Sequence, residues 1–315
     1  MTSCARKIHI IKEIVMEHIS EIFMCPKCGC SVTPTLLCDT CGTQYSHQHG
    51  VYNLISLELS SEQEYLYRGD LQDDLNSILG ESYLSRHFSA ESENLQEFDE
   101  RENEASDHYY SLFNDETKLA FEKQDEYMRQ VVASLSGIVC DLATGGGTML
   151  QMLLDSHNPQ ISDIVCTDIN ELEMICTRYR RNGSRNDVSY IVTDGRYLSF
   201  KDNSFDYVTS FAGFGNIPDA EKVASEIYRV LKPGGKILIK GNYIEKESRS
   251  FELAKSVGVE RGVVEELLTD DLRSAGFADI RSTVVAEAIW AENPYDLIPA
   301  AGDTQRFCII EASKV

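Results

Sequence analysis

The sequence predicts an α/β fold whose core is a seven-stranded, mostly parallel sheet with helices on both faces. From about residue 108 onward, short apolar segments alternate with helical patterns, which is typical of a parallel sheet. The first of these segments runs directly into a glycine-rich turn, "CDLATGGG". The last two segments are joined by about fifteen residues, too few for a crossover helix, so this final pair is expected to be antiparallel.

Seven apolar runs mark the expected strands. Helical stretches separate them, as "VVEELLTDDLRSAGF" does before the last two runs. The first five would form the parallel part of the sheet and the last two the antiparallel pair. The runs are 138–142, 164–168, 188–193, 205–211, 236–240, 280–289 and 306–312.

Three regions are predicted along the chain. Residues 1–57 hold an N-terminal helix, whose apolar side chains recur at helical spacing, and a cysteine-rich module. Residues 58–107 are acidic and thinly apolar, and residues 108–315 carry the sheet. The acidic region is interpreted either as a solvated helical linker or partly disordered segment, or as a lid built from short amphipathic helices over an active site.

The charge distribution argues against nucleic acid as a partner. The net charge is −22, and residues 58–130 alone carry 20 acids and 6 bases, whereas residues 1–57 are neutral overall. An acidic surface repels phosphate backbones, although a local basic patch is still compatible with RNA. Ten cysteines without an export signal, and no apolar run of bilayer length, predict a cytoplasmic protein without a membrane span.

The cysteine-rich module has the spacing of a structural metal site. Cys25 and Cys28 form one Cys-x2-Cys pair, and Cys38 and Cys41 form a second pair after nine intervening residues. Two such pairs place four thiolates at the corners of a tetrahedron, the geometry of structural zinc. Iron–sulfur is the lesser alternative. Three further residues of the module could compete as ligands: Cys30, His47 and His49.

The glycine-rich turn predicts a cofactor site, because residues without Cβ atoms let the backbone approach a ligand at a helix N-terminus. Asp141 precedes the glycines, where a dinucleotide-binding G-x-G-x-x-G turn has no acid. An anion there would repel a pyrophosphate and attract an amino group. No Gly-Lys-Ser/Thr follows, so a Walker-type phosphate loop is also excluded.

Two more acids follow the next two strands. Asp168 ends the second strand, where a carboxylate can accept both hydroxyls of a ribose. Asp194 follows the third strand, where an acid can accept a hydrogen from an adenine amino group. Each alone could be a helix cap or a turn former, but three acids at consecutive strand ends share one crevice.

Four segments in order and spacing resemble class I S-adenosylmethionine-dependent methyltransferases: "VCDLATGGG", "CTDIN", "VTDGRYLSFKDNSFDYVTS" and "EIYRVLKPGGKILIKG". The resemblance covers about residues 138–241 and implies a Rossmann-like fold. Within the family, "FAGFGNIPD" looks closest to the ubiquinone/menaquinone-biosynthesis type, with Gly215 where an arginine is usual.

By this resemblance the cofactor is S-adenosylmethionine, with Asp141 near its amino group and Asp168 on the ribose. Asp194 and Gly195 would contact adenine. The residues implied to bind the cofactor are Asp141, Ala143, Gly145, Gly146, Gly147, Asp168, Ile169, Asp194, Gly195 and Phe211.

The cysteine module, "CPKCG…LLCDTCGTQYSHQHGVYNLI", resembles the small zinc ribbon that precedes the methyltransferase domain in ribosomal-RNA guanine-N1 methyltransferases. In those enzymes the ribbon helps recognise RNA. Here it carries no net positive charge, which favours a role in folding, substrate gating or protein docking.

The leading hypothesis is an S-adenosylmethionine-dependent methyltransferase that acts on a small-molecule acceptor by in-line transfer. The alternatives are an RNA guanine methyltransferase and a non-catalytic cofactor-binding scaffold. A protein partner that binds the zinc ribbon or the acidic region is a further hypothesis. No catalytic residue is assigned; the candidates around the acceptor are His108, Tyr109, Tyr110, Phe214 and Asn216.

Overall fold

A computed structural model describes residues 19–55, 104, 107–181, 187–294, 296 and 298–315. Its described strands form one nine-stranded sheet in the order β1-β2-β5-β4-β3-β6-β7-β9-β8. The strands are β1 Ser46–Gln48, β2 Val51–Asn53, β3 Gly137–Leu142, β4 Ile161–Asp168, β5 Val188–Val192, β6 Phe205–Phe211, β7 Leu231–Ile244, β8 Phe277–Ile289 and β9 Thr304–Lys314.

The parallel core matches the prediction. Strands β5, β4, β3, β6 and β7 pair in parallel, so their carboxyl ends lie along one edge. β3 is flanked by β4 and β6, which makes the end of β3 the point where the chain order reverses. Ligands of open α/β sheets bind at such a point.

The C-terminal pair is antiparallel, as predicted from its short connection. β9 pairs antiparallel with β7 on one side and with β8 on the other. β8 is therefore the edge of the sheet, and its pairing with β9 has two register shifts.

Helices cover both faces, which confirms the predicted layering. Buried side chains of α1, α2 and α3 pack on one face, and those of α4 and α7 pack on the other. The helices are α1 Asp115–Val132, α2 Thr148–Asp155, α3 Glu171–Arg180, α4 Ala220–Val230, α5 Arg249–Val257, α6 Glu260–Val263 and α7 Glu265–Ala275.

The expected strand number, seven, was wrong, because the cysteine module contributes two strands to the same sheet. β1 and β2 form a hairpin, and β2 pairs in parallel with β5 over Val51–Asn53. Phe23 and Tyr52 of the module are buried in the same core cluster as Phe200. The hairpin strands are only three residues long, so their pairing depends on the edge of β5 rather than on local pattern.

Hydrogen bonds also join the module to the segment after β5. The Ser199 hydroxyl donates to the Leu54 carbonyl at 3.2 Å and lies 3.0 Å from the Thr193 hydroxyl. The Arg229 guanidinium of α4 donates to the carbonyls of Leu198 and Phe200 on that segment. The module is thus tied to the strand end that carries Asp194.

Two predictions fall largely outside the described residues: the N-terminal amphipathic helix, of which only residues 19–20 are described as helical, and almost all of the acidic region 58–107. Within the part of the chain that the structure describes, no helix is both long enough and apolar enough to cross a bilayer.

Candidate active site

The glycine loop, which follows β3, has an unusual backbone conformation. Ala143, Gly145 and Gly147 all have positive φ angles, of 53°, 48° and 78°. Gly147 is the N-cap of α2, so the loop delivers the amide groups of that helix to the edge of the sheet. A Cβ built on Gly145 would meet no atom of the described residues within 4 Å, which leaves space beside the loop for a ligand. Gly146, the middle residue, is exposed.

Helix α3 holds the loop from the other side. The Thr177 hydroxyl donates to the Gly145 carbonyl at 2.6 Å, and Arg181 donates to the Gly146 carbonyl at 3.0 Å. Opposite them, the segment after β6 approaches closely: a Cβ on Gly213 would lie 2.5 Å from the Ala143 carbonyl oxygen. The loop is therefore fixed before any ligand arrives.

Asp141 is buried and incompletely satisfied. Its Oδ1 lies 3.3 Å from the Thr209 hydroxyl, and its Oδ2 has no hydrogen-bond partner among the described residues. Burial raises the pKa of this carboxyl to about 7, and the nearby charge of Asp168 adds to the effect. A buried acceptor without a donor is costly unless a ligand supplies one. A cationic amino group would supply both the donor and the charge.

Asp168 ends β4 and supports the glycine loop directly. Its Oδ2 accepts from the Gly145 N–H at 3.0 Å, and its Oδ1 accepts from the Asn170 N–H at 3.0 Å. Burial raises the pKa of Asp168, while the N–H groups of Asn170, Gly145 and Ile169 counteract it. Each carboxylate oxygen keeps a lone pair, so two ribose hydroxyls could still be accepted.

Asp194 forms an ion pair that the sequence did not predict. Its carboxylate forms a buried ion pair with Arg196, with Nη2–Oδ2 at 2.9 Å and Nε–Oδ1 at 3.1 Å. The adenine role stays a prediction and would use the lone pair that remains on Oδ2. Gly195 is buried, and a Cβ there would lie 3.0 Å from the Ile217 side chain.

These residues fit S-adenosylmethionine in chemistry and order. One buried acid has an oxygen with no donor in the described part of the chain, a second acid lies at the next strand end, and an open glycine loop lies between them. Three of the predicted residues, Asp141, Gly145 and Asp168, come together around the loop. Bound there, the cofactor would supply an electrophilic methyl group on a sulfonium.

A cavity of about 400 Å³ lies beside the glycine loop. Thr148 of α2 and Phe211, the last residue of β6, are on its wall, so the cavity adjoins the predicted cofactor site. Of the five predicted acceptor candidates, Tyr109, Tyr110, Phe214 and Asn216 line the cavity. His108 is exposed and is not on its wall.

Aromatic rings dominate one side of the cavity. Phe121 and Trp290 line it, and Phe113 packs between them at ring-centroid distances of 5.3 and 5.0 Å. The Tyr109 hydroxyl donates to Asp296 at 3.1 Å, which ties the helical residues 107–111 to the loop between β8 and β9. Burial raises the pKa of Asp296 to about 6.

Sequence reasoning missed the buried charges of the cavity. Lys240 of β7 lies with Nζ 2.7 Å from Asp125 Oδ1 of α1 and 3.4 Å from the centroid of the Phe211 ring. Tyr243 is buried against Gly241, and its hydroxyl has no hydrogen-bond partner among the described residues. The only sign of these buried charges in the sequence was Lys240 itself, a lysine within a run of strand-forming apolar residues.

The four predicted cysteines do form a cluster. The sulfur atoms of Cys25, Cys28, Cys38 and Cys41 all lie within 4.8 Å of one another. Two of the S–S distances are 3.6 Å (Cys25–Cys41) and 3.4 Å (Cys28–Cys38). A tetrahedral zinc with bonds of about 2.3 Å requires sulfurs about 3.8 Å apart, so the donor set fits zinc.

Turn geometry and a tyrosine support this cluster. The N–H of Gly29 donates to the Cys25 carbonyl, and that of Gly42 donates to the Cys38 carbonyl, which gives each pair the same tight turn. The buried Tyr45 hydroxyl lies 3.0 Å from Cys25 Sγ. The other candidate ligands, Cys30, His47 and His49, are not in the cluster; the His47 ring instead stacks on Tyr52 at 4.1 Å.

Comparison with known proteins agrees with this site. Residues 140–239 match the family model described as "Methyltransferase domain". The ubiquinone/menaquinone biosynthesis C-methyltransferase of Rickettsia prowazekii is 34% identical over 136 residues, covering 41% of this chain and 54% of that protein. Its counterpart in Rickettsia massiliae is 32% identical over 164 residues, covering 47% of this chain and 65% of that protein.

Solved structures are more distant. A putative sarcosine dimethylglycine methyltransferase from Galdieria sulphuraria has a TM-score of 0.49 and 16% identity, covering 78% of this chain and 98% of that one. Phosphoethanolamine N-methyltransferase 2 of Haemonchus contortus, solved with S-adenosylhomocysteine, has a TM-score of 0.48 and 22% identity, covering 61% and 52%.

The chain thus contains a segment, residues 140–239, that matches a methyltransferase domain and includes the glycine loop, Asp141 and Asp168. Its sequence similarity is to the ubiquinone/menaquinone biosynthesis C-methyltransferases. The chain spans less than two thirds of the length of these relatives.

Proposed function

We propose that the protein binds S-adenosylmethionine and transfers its methyl group to a small-molecule acceptor. The observation that carries the proposal is the buried Asp141 carboxylate, whose Oδ2 accepts no hydrogen bond from the part of the chain that the structure describes and lies beside an open glycine loop. This arrangement suits a ligand with a cationic amino group, and S-adenosylmethionine has one next to its sulfonium.

The adjoining cavity supports a small acceptor. Its volume of about 400 Å³ lies within the range of small-molecule pockets, and its wall combines aromatic rings with a few polar groups. Enclosure aligns the acceptor with the methyl group and excludes water, which are the main requirements of an in-line displacement from a good leaving group.

The experiment is calorimetric titration with S-adenosylmethionine, S-adenosylhomocysteine and NAD⁺ as the comparison ligand. We expect both S-adenosyl compounds to bind and NAD⁺ not to bind, because Asp141 would repel a pyrophosphate. Methyl transfer is then followed as S-adenosylhomocysteine formation across amine, phenol and carbon-acid acceptors. Binding of NAD⁺ alone would contradict the proposal. Binding of the cofactor by a protein that turns over no acceptor would favour the non-catalytic scaffold.

The RNA alternative makes a different prediction. A protein that contacts several phosphates loses RNA affinity steeply as salt rises. Retention of unmodified ribosomal or transfer RNA with a steep salt dependence would favour that alternative over a small acceptor.

We also propose that the cysteine cluster holds a structural zinc, because its sulfur separations fit tetrahedral coordination. The test is metal analysis of Cys38→Ser against Cys30→Ser, a matched control outside the cluster. Cys38→Ser should lose the zinc and unfold at lower temperature, while Cys30→Ser should keep both properties. Equal zinc content in the two variants would contradict the site. Reduced thiolates of this kind are consistent with the cytoplasm.

A further inference from the structure

Lys240 and Asp125 form an ion pair on the wall of the acceptor cavity. The side chain of Lys240 is only 3% exposed, and that of Asp125 is 27% exposed. A buried ion pair contributes little to stability, since apolar residues of similar volume often do as well. Its place on the cavity wall therefore suggests a chemical role.

The pair lies next to the cofactor side of the cavity. The Lys240 ammonium is 3.4 Å from the centroid of Phe211, the residue that ends β6. The carbonyl of Lys240 also accepts from the Ala212 N–H, at the start of the segment that reaches the glycine loop. Thr148, in the first turn of α2, lies on the same cavity wall.

We propose that Lys240 is the general base of the methyl transfer and that Asp125 stabilises the ammonium it becomes. This inference rests on the proposed function. It also narrows the acceptor to a neutral group that carries a proton to be lost: an amine, a hydroxyl or a carbon acid.

The step balances in atoms and charge. The acceptor atom forms its bond to the methyl carbon as the carbon–sulfur bond breaks and leaves its electron pair on sulfur. The acceptor's proton passes to the neutral Nζ of Lys240. The positive charge thus moves from the sulfonium to Lys240, where the carboxylate of Asp125 lies 2.7 Å away.

The surroundings of Lys240 make its neutral form accessible. The pKa of Lys240 is lowered to about 8, mainly by burial; the charge of Asp125 opposes this effect, and the charge of Arg129 of α1 adds to it. Tyr110, also on the cavity wall, has its pKa raised by partial burial and by the charge of Asp125, so it stays neutral. A sulfonium bound nearby adds a like charge, which favours loss of the proton.

Two other ionisable groups on the wall are less suited. Asp296 already accepts hydrogen bonds from Tyr109 and from Asn293, the latter at 2.8 Å. Tyr243 has its pKa raised well above the usual range by burial, so its phenolate is not formed near neutral pH.

Proton release on cofactor binding tests the inference without an acceptor. S-adenosylmethionine and S-adenosylhomocysteine share the amino acid, ribose and adenine groups and differ in the sulfonium charge. Calorimetry at pH 7.5 in phosphate and in Tris, which differ in ionisation enthalpy, counts the protons released. We expect S-adenosylmethionine to release about half a proton more than S-adenosylhomocysteine, for a drop of roughly one unit in the lysine pKa.

Three variants make the test specific. In Lys240→Met the difference should fall to near zero, while S-adenosylhomocysteine still binds. Asp296→Asn, a change at another acid on the cavity wall, should keep the full difference. The double variant Lys240→Met/Asp125→Asn removes both charges and covers the case in which the single variant leaves an unpaired acid and misfolds.

Equal proton release with the two ligands in the wild type would overturn the inference, as would a difference that persists in Lys240→Met or disappears in Asp296→Asn. Failure of both ligands to bind would instead overturn the proposed function and this inference with it.

Discussion

The Gly145 N–H donates a 3.0 Å hydrogen bond to Asp168 Oδ2, so the acid predicted to hold the ribose also holds the glycine loop. The two roles are compatible because each carboxylate oxygen has two lone pairs. If Asp168 also holds the ribose, it links the shape of the loop to the presence of the ligand.

Replacing Asp168 should damage the loop and the ribose site together. Asp168→Ala removes the acceptors of the Gly145 and Asn170 N–H groups as well as two acceptors for the ribose. We expect S-adenosylhomocysteine affinity to fall at least tenfold, about 1.4 kcal/mol. Asp168→Asn keeps one acceptor oxygen and should lose less. Unchanged affinity of the alanine variant in calorimetry would refute the assignment.

The Asp141 carboxylate should lower the stability of the ligand-free protein and raise its affinity for the cofactor. Its folded-state pKa, about 7, lies above its ordinary value of 3.8, so its contribution to stability is full below about pH 4 and is lost as pH rises through 7. Asp141→Asn should therefore raise the melting temperature of the cofactor-free protein at pH 8 and have less effect at pH 5. A gain of a few degrees is expected, since 1 kcal/mol shifts melting by roughly 2–4 °C in a domain of this size.

The same variant should bind S-adenosylhomocysteine at least tenfold more weakly, because the amino group loses its counter-charge. Asp155→Asn, at an exposed acid on α2, is the control and should change neither property. A variant that melts higher at pH 8 yet binds normally would separate Asp141 from the amino group.

Tyr45 should strengthen the metal site through Cys25. Its buried hydroxyl can donate to the thiolate at 3.0 Å, and loss of such outer partners typically weakens metal binding 10–100-fold. Tyr45→Phe should therefore lose zinc to a chelator at a lower chelator concentration. Tyr52→Phe is the comparison, because Tyr52 is buried in the same module and its ring packs on Phe23 and His47. Equal zinc retention in both variants would count against the role of Tyr45.

Ser199 should couple the cysteine module to the cofactor site. Its hydroxyl joins Leu54, at the end of the module, to Thr193, which precedes Asp194. In the wild type, chelating the metal should lower S-adenosylhomocysteine affinity by about 3–10-fold, a coupling of roughly 1 kcal/mol. In Ser199→Ala the same treatment should have a smaller effect. An identical loss of S-adenosylhomocysteine affinity in both proteins would show that the Ser199 hydroxyl does not couple the metal site to the cofactor site.

The sequence was informative where a local pattern determines structure. The parallel strands, the antiparallel pair at the C-terminus and the loop acids follow from periodicity, a short connection and glycine at a strand end. The cysteine cluster followed from its spacing, because two tight turns suffice to bring four sulfurs together.

What could not be predicted depends on contacts between distant segments. Strand β2 gains its pairing from β5, more than 130 residues later in the chain. Asp125 and Lys240 are likewise far apart in sequence, and neither position signals that both side chains are buried together. The Asp194–Arg196 pair is local, but its formation depends on a buried turn that only the structure shows.

Native mass spectrometry of the purified protein, compared with the denatured chain, tests the central claim most directly. The native mass should exceed the chain mass by one zinc ion, and by one S-adenosyl nucleoside either as purified or after S-adenosylmethionine is added. Zinc without any nucleoside under both conditions would contradict the claim that this domain binds S-adenosylmethionine.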